Sequence, residues 1–224
     1  MYLQTNLEKV RFEIEHPEAT IEASQRQSER IDKLLGFQHV QIEEELVLKA
    51  PYKGQMWEQQ PWIGLPIPIL QTPYAELVEM VTTLNPKSGE TWVDLGACYG
   101  RLGIVLWALA PETKFIGYEL IPERVSEGDR IFRAHELQNA KLIAQDLAEP
   151  GFKPQAADCY FIYDFGARVA QEKTLEDLKQ IATQKPIRVI ARGRGCRNWI
   201  ERGHPWLSEV NTPIHTHYYS IYFA

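Results

Sequence analysis

From residue 91 onward, short apolar blocks alternate with longer amphipathic stretches. Residues 91–95 place Trp92, Val93 and Leu95 around a single carboxylate, Asp94, as a buried strand with a polar end would. Residues 101–110 then carry Leu102, Ile104, Val105, Leu106 and Leu109, a largely apolar helix stopped by Pro111. The same rhythm predicts strands at 114–119, 141–145, 159–163 and 187–191, helices at 123–137 and 167–183, and a turn at 146–152. Short strands separated by helices of this length make a parallel sheet covered on both faces, with right-handed crossovers. The end of the chain differs. Residues 206–212 and 215–223 lie close together on either side of Pro213, which predicts two strands forming an antiparallel hairpin.

The first third of the chain follows another pattern. Apolar residues at 21, 23, 31, 34 and 35, with Gly36 beyond them, predict a helix over 18–35. Residues 38–49 fit a helix or an alternating strand equally well. Prolines 51, 61, 66, 68 and 73 are mixed with Trp57, Trp62, Ile63, Leu65 and Ile67, a segment that either packs on the core as a loop or covers a substrate as a lid. Thr72-Pro73 reads as a helix cap and first-turn proline ahead of a helix over 74–84. The expected architecture is thus α/β: a Rossmann-like seven-strand sheet, mostly parallel, with a C-terminal antiparallel hairpin. An N-terminal helical and loop extension (1–70) precedes the sheet domain (71–224).

Composition narrows the function classes. With 224 residues, 44% hydrophobic and 24% charged, the chain can bury one ordinary core. A net charge of −6 gives no overall attraction to nucleic acid or anionic lipid. Cys98, Cys159 and Cys196 are scattered and odd in number, which suits reduced thiols. No secretory pattern opens the chain and no apolar run reaches the roughly 20 residues of a membrane span, so the expected location is the cytoplasm. The pair His215 and His217 shares a strand face without a third ligand, and no metal is expected.

The chemistry concentrates on the stretch Val93-Asp94-Leu95-Gly96-Ala97-Cys98-Tyr99-Gly100-Arg101. It reads as strand, glycine turn and helix start, whose free N–H groups would face a ligand over the turn. In a parallel sheet, ligands bind at the carboxyl ends of the strands near the point where strand order reverses. Four acids fall at such ends: Asp94, Glu119, Asp146 and Asp164. Glu119 lies 19 residues past Gly100, near the spacing at which a carboxylate takes the hydroxyls of a ribose, although it could instead cap the following helix. Asp146 could accept from an adenine amino group while Leu147 packs on the ring; alternatively it is a turn aspartate. A dinucleotide is disfavoured, because Cys98-Tyr-Gly100-Arg-Leu-Gly103 lacks the first glycine of G-x-G-x-x-G and a pyrophosphate would sit poorly beside Asp94. S-adenosylmethionine offers an amino group, a ribose and an adenine to the same acids.

The D-L-G-x-x-x-G-R turn, followed by Ile116-Gly117-Tyr118-Glu119-Leu120, resembles the first two motifs of class I S-adenosylmethionine-dependent methyltransferases. The likeness extends over about residues 70–223. With Thr72-Pro73 and G-Y-E-L-x-P it also resembles the seven-strand protein-lysine methyltransferases of the ATP-synthase c-subunit type. The resemblance implies that Asp94, Gly96, Cys98 and Gly100 hold the methionine end of the cofactor, Glu119 the ribose, and Asp146 with Leu147 the adenine. Asp164 would start the loop beneath the methyl group. Cys98 departs from the family, which often has a glycine there. Asp164-Phe165-Gly166-Ala167 lacks the Asn/Asp-Pro-Pro-aromatic signature for amide or exocyclic nitrogens. The implied acceptor is a protein lysine, with Asp164 and Tyr74 as catalytic candidates and Trp57, Trp62 and Phe165 at the mouth. Arg188, Arg192, Arg194, Arg197 and Arg202 form a local basic cluster that could meet RNA. The competing readings are a methyltransferase fold that binds RNA or protein without catalysis, and an RNA or small-molecule methyltransferase.

Overall fold

The computed structural model describes residues 2–49 and 62–224, without the side chains of residues 2–5; Trp57 and the first two prolines of the mixed segment lie outside this set. Among the described residues five helices precede the sheet: α1 (Tyr2–Glu15), α2 (Ile21–Leu35), α3 (His39–Leu48), the short α4 (Ile67–Leu70) and α5 (Tyr74–Leu84). The alternating part follows as β1 (Thr91–Leu95), α6 (Arg101–Leu109), β2 (Lys114–Glu119), α7 (Pro122–Ala134), β3 (Ala140–Ala144), β4 (Cys159–Tyr163), α8 (Arg168–Ala182) and β5 (Arg188–Arg192). Then come α9 (Arg194–Gly203), a 3-10 turn at Pro205–Ser208, β6 (Ile214–His215) and β7 (Tyr219–Phe223).

The strands form one seven-stranded sheet in the order β3-β2-β1-β4-β5-β7-β6, with β7 antiparallel to both β5 and β6. The order reverses between β1 and β4, which therefore flank the crevice at their carboxyl ends. Two apolar layers hold the sheet. One packs Trp92, Phe115 and Phe161 against α5 and α6 and includes Val10, Ile14, Ile31 and Leu35 from α1 and α2. The other packs Val93, Tyr160, Ile162 and Val189 against α8 and α9.

Several local details differ from the sequence pattern. Residues 38–49 resolve as helix α3, whose buried side is only His39, Glu43 and Leu46; with two polar residues in that stripe, no helical period was readable. Thr72 does not cap α5: the helix begins after Pro73, Thr72 Oγ1 has no partner among the described residues, and Ser28 Oγ of α2 accepts the N–H of Tyr74. The hairpin exists, but residues 206–212 are not its first strand. Pro205 starts a 3-10 turn there, and the pairing strand is the two-residue β6 just past Pro213.

Candidate functional site

β1 delivers the chain into a turn of alternating handedness. Gly96 (φ 95°), Cys98 (φ 50°) and Gly100 (φ 82°) all take positive φ before α6 begins. At Gly96 a β-carbon would meet Phe165 Cβ at 2.6 Å, so the close approach of the β4 loop also demands glycine. Cys98 adopts the left-handed region with a side chain, a conformation that costs on the order of 1 kcal/mol and must be imposed by its surroundings. The imposing contact is Glu119 Oε2, which accepts the Cys98 N–H at 2.9 Å. Within the turn itself, Gly96 N and Ala97 N both donate to Tyr118 O, and Gly100 N donates to Ala97 O.

Glu119 ends β2 and is buried. Its Oε1 accepts the Ile121 N–H at 3.0 Å, the helix-entry role, and lies 3.5 Å from Arg124 Nη1. Asp94 is buried beside it, with Oδ1 lacking any partner among the described residues. Burial, and then the neighbouring Glu119 charge, push the Asp94 carboxyl well above the usual range. Asp146 follows β3 and closes a tight turn, Oδ1 accepting from Ala148 N at 2.8 Å.

Gly96, Glu119, Asp146 and Leu147 line one cleft at the carboxyl ends of β1–β4, together with Trp62, Tyr118, Arg124 and Phe165. Its volume is about 60 Å³, far below the roughly 300–1,000 Å³ of an ordinary small-molecule site. Trp62 spans the mouth. Its indole N–H donates to Asp164 O at 3.0 Å and its carbonyl accepts from Arg124 Nη2 at 3.3 Å. Asp94, Cys98 and Gly100 are not part of its wall.

Two candidates stand elsewhere. The Asp164 carboxylate turns away from the cleft and caps α9: Oδ1 accepts from Cys196 N at 2.7 Å and Oδ2 from Gly195 N at 3.4 Å. A β-carbon at Gly193 would sit 2.1 Å from Asp164 Oδ2, which keeps that position a glycine. Tyr74 is buried, 1% exposed, and its hydroxyl donates to Asp32 Oδ1 at 3.0 Å, so it cannot reach an acceptor at the cleft. The basic cluster also disperses. Arg188 pairs with Glu90, Arg192 pairs with Glu76 at 2.8 Å and stacks 4.1 Å over Tyr163, and Arg197 donates to the carbonyls of Thr216 and His217. Only Arg194 and Arg202 of that run are exposed, so it makes no continuous basic face for RNA. His215 hydrogen-bonds Ser220 Oγ, and no cluster that could hold a metal occurs among the described residues.

The N-terminal helices add residues that the sequence did not announce as functional. Glu43 of α3 accepts from Arg124 (Nε–Oε1 2.8 Å, Nη2–Oε2 3.0 Å) and from the Tyr99 hydroxyl at 2.8 Å. Asp32 of α2 accepts from Arg101 and from Tyr74. Both residues flanking the turn, Arg101 and Arg124, are thereby held from above by buried carboxylates. A signal existed: an arginine in the first turn of a helix opposes the helix dipole and calls for a specific anionic partner.

No family model matches the chain, and no curated protein matches it. Solved structures do. The precorrin-6y C5,15-methyltransferase of Geobacter metallireducens aligns with a TM-score of 0.51 at 15% identity, over 69% of this chain and 89% of its own. TrmN of Thermus thermophilus aligns with a TM-score of 0.51 at 13% identity, over 69% of this chain and 48% of its own. The fold is the class I methyltransferase fold. The chain spans less than half of TrmN, and 41% of a StiE O-MT segment that it also matches. In this chain the cleft lined by Glu119 and Asp146 lies at the carboxyl ends of β1–β4, where the strand order reverses. No helix of the described residues is long and apolar enough to cross a membrane.

Proposed function

We propose that this protein is a methyltransferase that binds S-adenosylmethionine in the β1–β4 crevice. The supporting observation is the convergence of Gly96, Glu119, Asp146 and Leu147 on one cleft, with Asp94 buried within reach of the Glu119 charge and carrying an oxygen unpartnered among the described residues. The donor set fits the cofactor. Each Glu119 oxygen keeps a second lone pair after accepting its backbone N–H, so it can take a ribose hydroxyl and hold the turn together. Leu147 supplies an apolar wall for a base, and Asp94 an acceptor for an amino group. The space does not fit without movement, since the present cleft cannot contain a nucleoside. Binding therefore requires Trp62 to leave Asp164 O and Arg124. When bound, the cofactor supplies an activated methyl group on a sulfonium. The protein's part is to orient the acceptor and exclude water.

A protein lysine is the acceptor carried forward, because Asp164-Phe165-Gly166 lacks the signature of amide-nitrogen methylation. The one neighbour above with a small-molecule acceptor in its name bears on the fold alone. A second reading, a methyltransferase-like module without catalysis, is favoured by the closed cleft and by Cys98 in the turn. Calorimetric titration with S-adenosylmethionine and S-adenosylhomocysteine separates the two. We expect one-to-one binding that weakens at least tenfold in Glu119→Ala. No heat with either ligand at millimolar concentration would leave only the second reading.

A further inference from the structure

A roomier space lies beside the crevice. A groove of about 480 Å³ runs between α2, α3 and the Gly64–Pro73 segment. It falls within the size range of a ligand site, whereas the cofactor cleft does not. Its walls are apolar: Val40 and Val47 from α3 face Leu65, Pro66 and Ile67. Val40 is 58% exposed and Val47 45% exposed, so α3 leaves an apolar edge open to solvent beside the groove.

The charges that remain for a ligand are all negative. Arg101 lines the groove but is committed to Asp32 and to Thr72 O. Glu29 and Glu44 also line it, are exposed, and have no ion-pair partner among the described residues. At the floor His39 is buried, and its Nδ1 has no partner among the described residues, which leaves one polar position unfilled. An apolar trough rimmed by unpaired carboxylates favours an apolar body carrying ammonium groups over an anion or a neutral apolar molecule.

The groove also adjoins the crevice. Glu43 lines the groove, and Arg124, its partner at 2.8 Å, lines the cofactor cleft. Gly64 borders the first cavity and Trp62, two residues earlier, borders the second. One ion pair and one turn of backbone are the partition between them.

We propose that this groove docks an extended peptide segment in which a lysine is flanked by apolar residues, bringing the acceptor protein alongside the cofactor crevice. This rests on the lysine reading above for its role, and on the groove's own chemistry for its ligand. The apolar flanks fill the trough between α3 and Leu65–Ile67, while ammonium groups sit against Glu29 and Glu44.

Methyl-resolved NMR and fluorescence anisotropy on the full chain test it. The probe is a labelled leucyl-lysyl-leucyl-lysine amide, with a second peptide carrying glutamate in both lysine positions. We expect saturable binding of the lysine peptide, shifts at the Val40 and Val47 methyls, and no binding of the glutamate peptide. The double variant Glu29→Lys/Glu44→Lys, both surface positions, should weaken the lysine peptide at least tenfold. Unchanged affinity in that variant, shifts confined to other methyls, or equal affinity for hexylamine would overturn the proposal. Titration of S-adenosylmethionine on the same sample keeps the readings apart. Peptide binding without cofactor binding retains the groove and removes the methyl-transfer role; cofactor binding without peptide binding does the reverse.

Discussion

Asp94 is held in a state that the fold alone does not favour. It is buried, one oxygen is unpartnered, and the Glu119 carboxylate lies close enough to raise its pKa further. A carboxyl whose native pKa is raised binds its proton more tightly folded than unfolded. Stability from this site is then greatest near the unfolded pKa of about 3.9 and declines as pH rises toward the native value. Asp94→Asn removes that decline. We expect the variant to exceed the parent by on the order of 1 kcal/mol at pH 7, in urea unfolding, with the gap closing toward pH 4. A gap that widens on acidification would refute this. Under the proposed function the same substitution should weaken S-adenosylmethionine at least tenfold, because an amide carries no charge to meet the cofactor's ammonium group. The thiols give a second residue-level expectation. Cys98, Cys159 and Cys196 are buried, and burial raises the pKa of each. The native protein should therefore resist iodoacetamide at pH 8 and take three equivalents only when unfolded; fast labelling of Cys98 would mean that the turn opens readily.

At the scale of elements, the strand and helix run from β1 to β5 was legible because its apolar blocks have one job each. β1, β2 and β4 each bury four or five consecutive residues and so read as short apolar blocks, while the helices between them carry longer apolar stripes. The motif turn was legible for the same reason: an acid and two glycines at fixed spacing have few structural uses. What stayed hidden depends on partners distant in sequence. α9 followed a glycine with no cap residue beside it, because its cap, Asp164, comes from the β4 loop 31 residues away. Asp164 was legible as a rim residue, since a carboxylate at a strand end marks a rim position, but the sequence does not tell which way its side chain turns. Asp164→Ala should cost about 1–2 kcal/mol and speed amide exchange in the first turn of α9. Trp62 bonds the backbone carbonyl of Asp164, so its contact survives the substitution. A variant with parental stability that had lost methyl transfer would instead restore the carboxylate to a chemical role.

For the whole molecule, the N-terminal helices belong to the core and also brace the candidate site. Val10, Ile14, Ile31, Leu35 and Leu46 are almost fully buried, and four of them belong to the cluster that packs α5, α6 and β1. At about 1.5–3 kcal/mol per buried side chain they contribute roughly 7–15 kcal/mol, the size of a whole domain's net stability. The ion pairs act in the same direction. Removing α2 and α3 would leave Arg101 and Arg124 without Asp32 and Glu43, and breaking a buried pair from one side costs about 3–5 kcal/mol. We therefore expect a chain beginning at residue 62 to lack a cooperative fold, despite retaining every strand and the entire D-L-G-x-x-x-G-R turn. Far-UV circular dichroism through a thermal scan, with gel filtration, decides it: the expected result is aggregation or a broad, shallow transition. A monomer melting sharply within a few degrees of the full chain would show that the sheet closes its own core. The helices would then be an accessory that could be removed to open the crevice from the side where Glu43 grips Arg124.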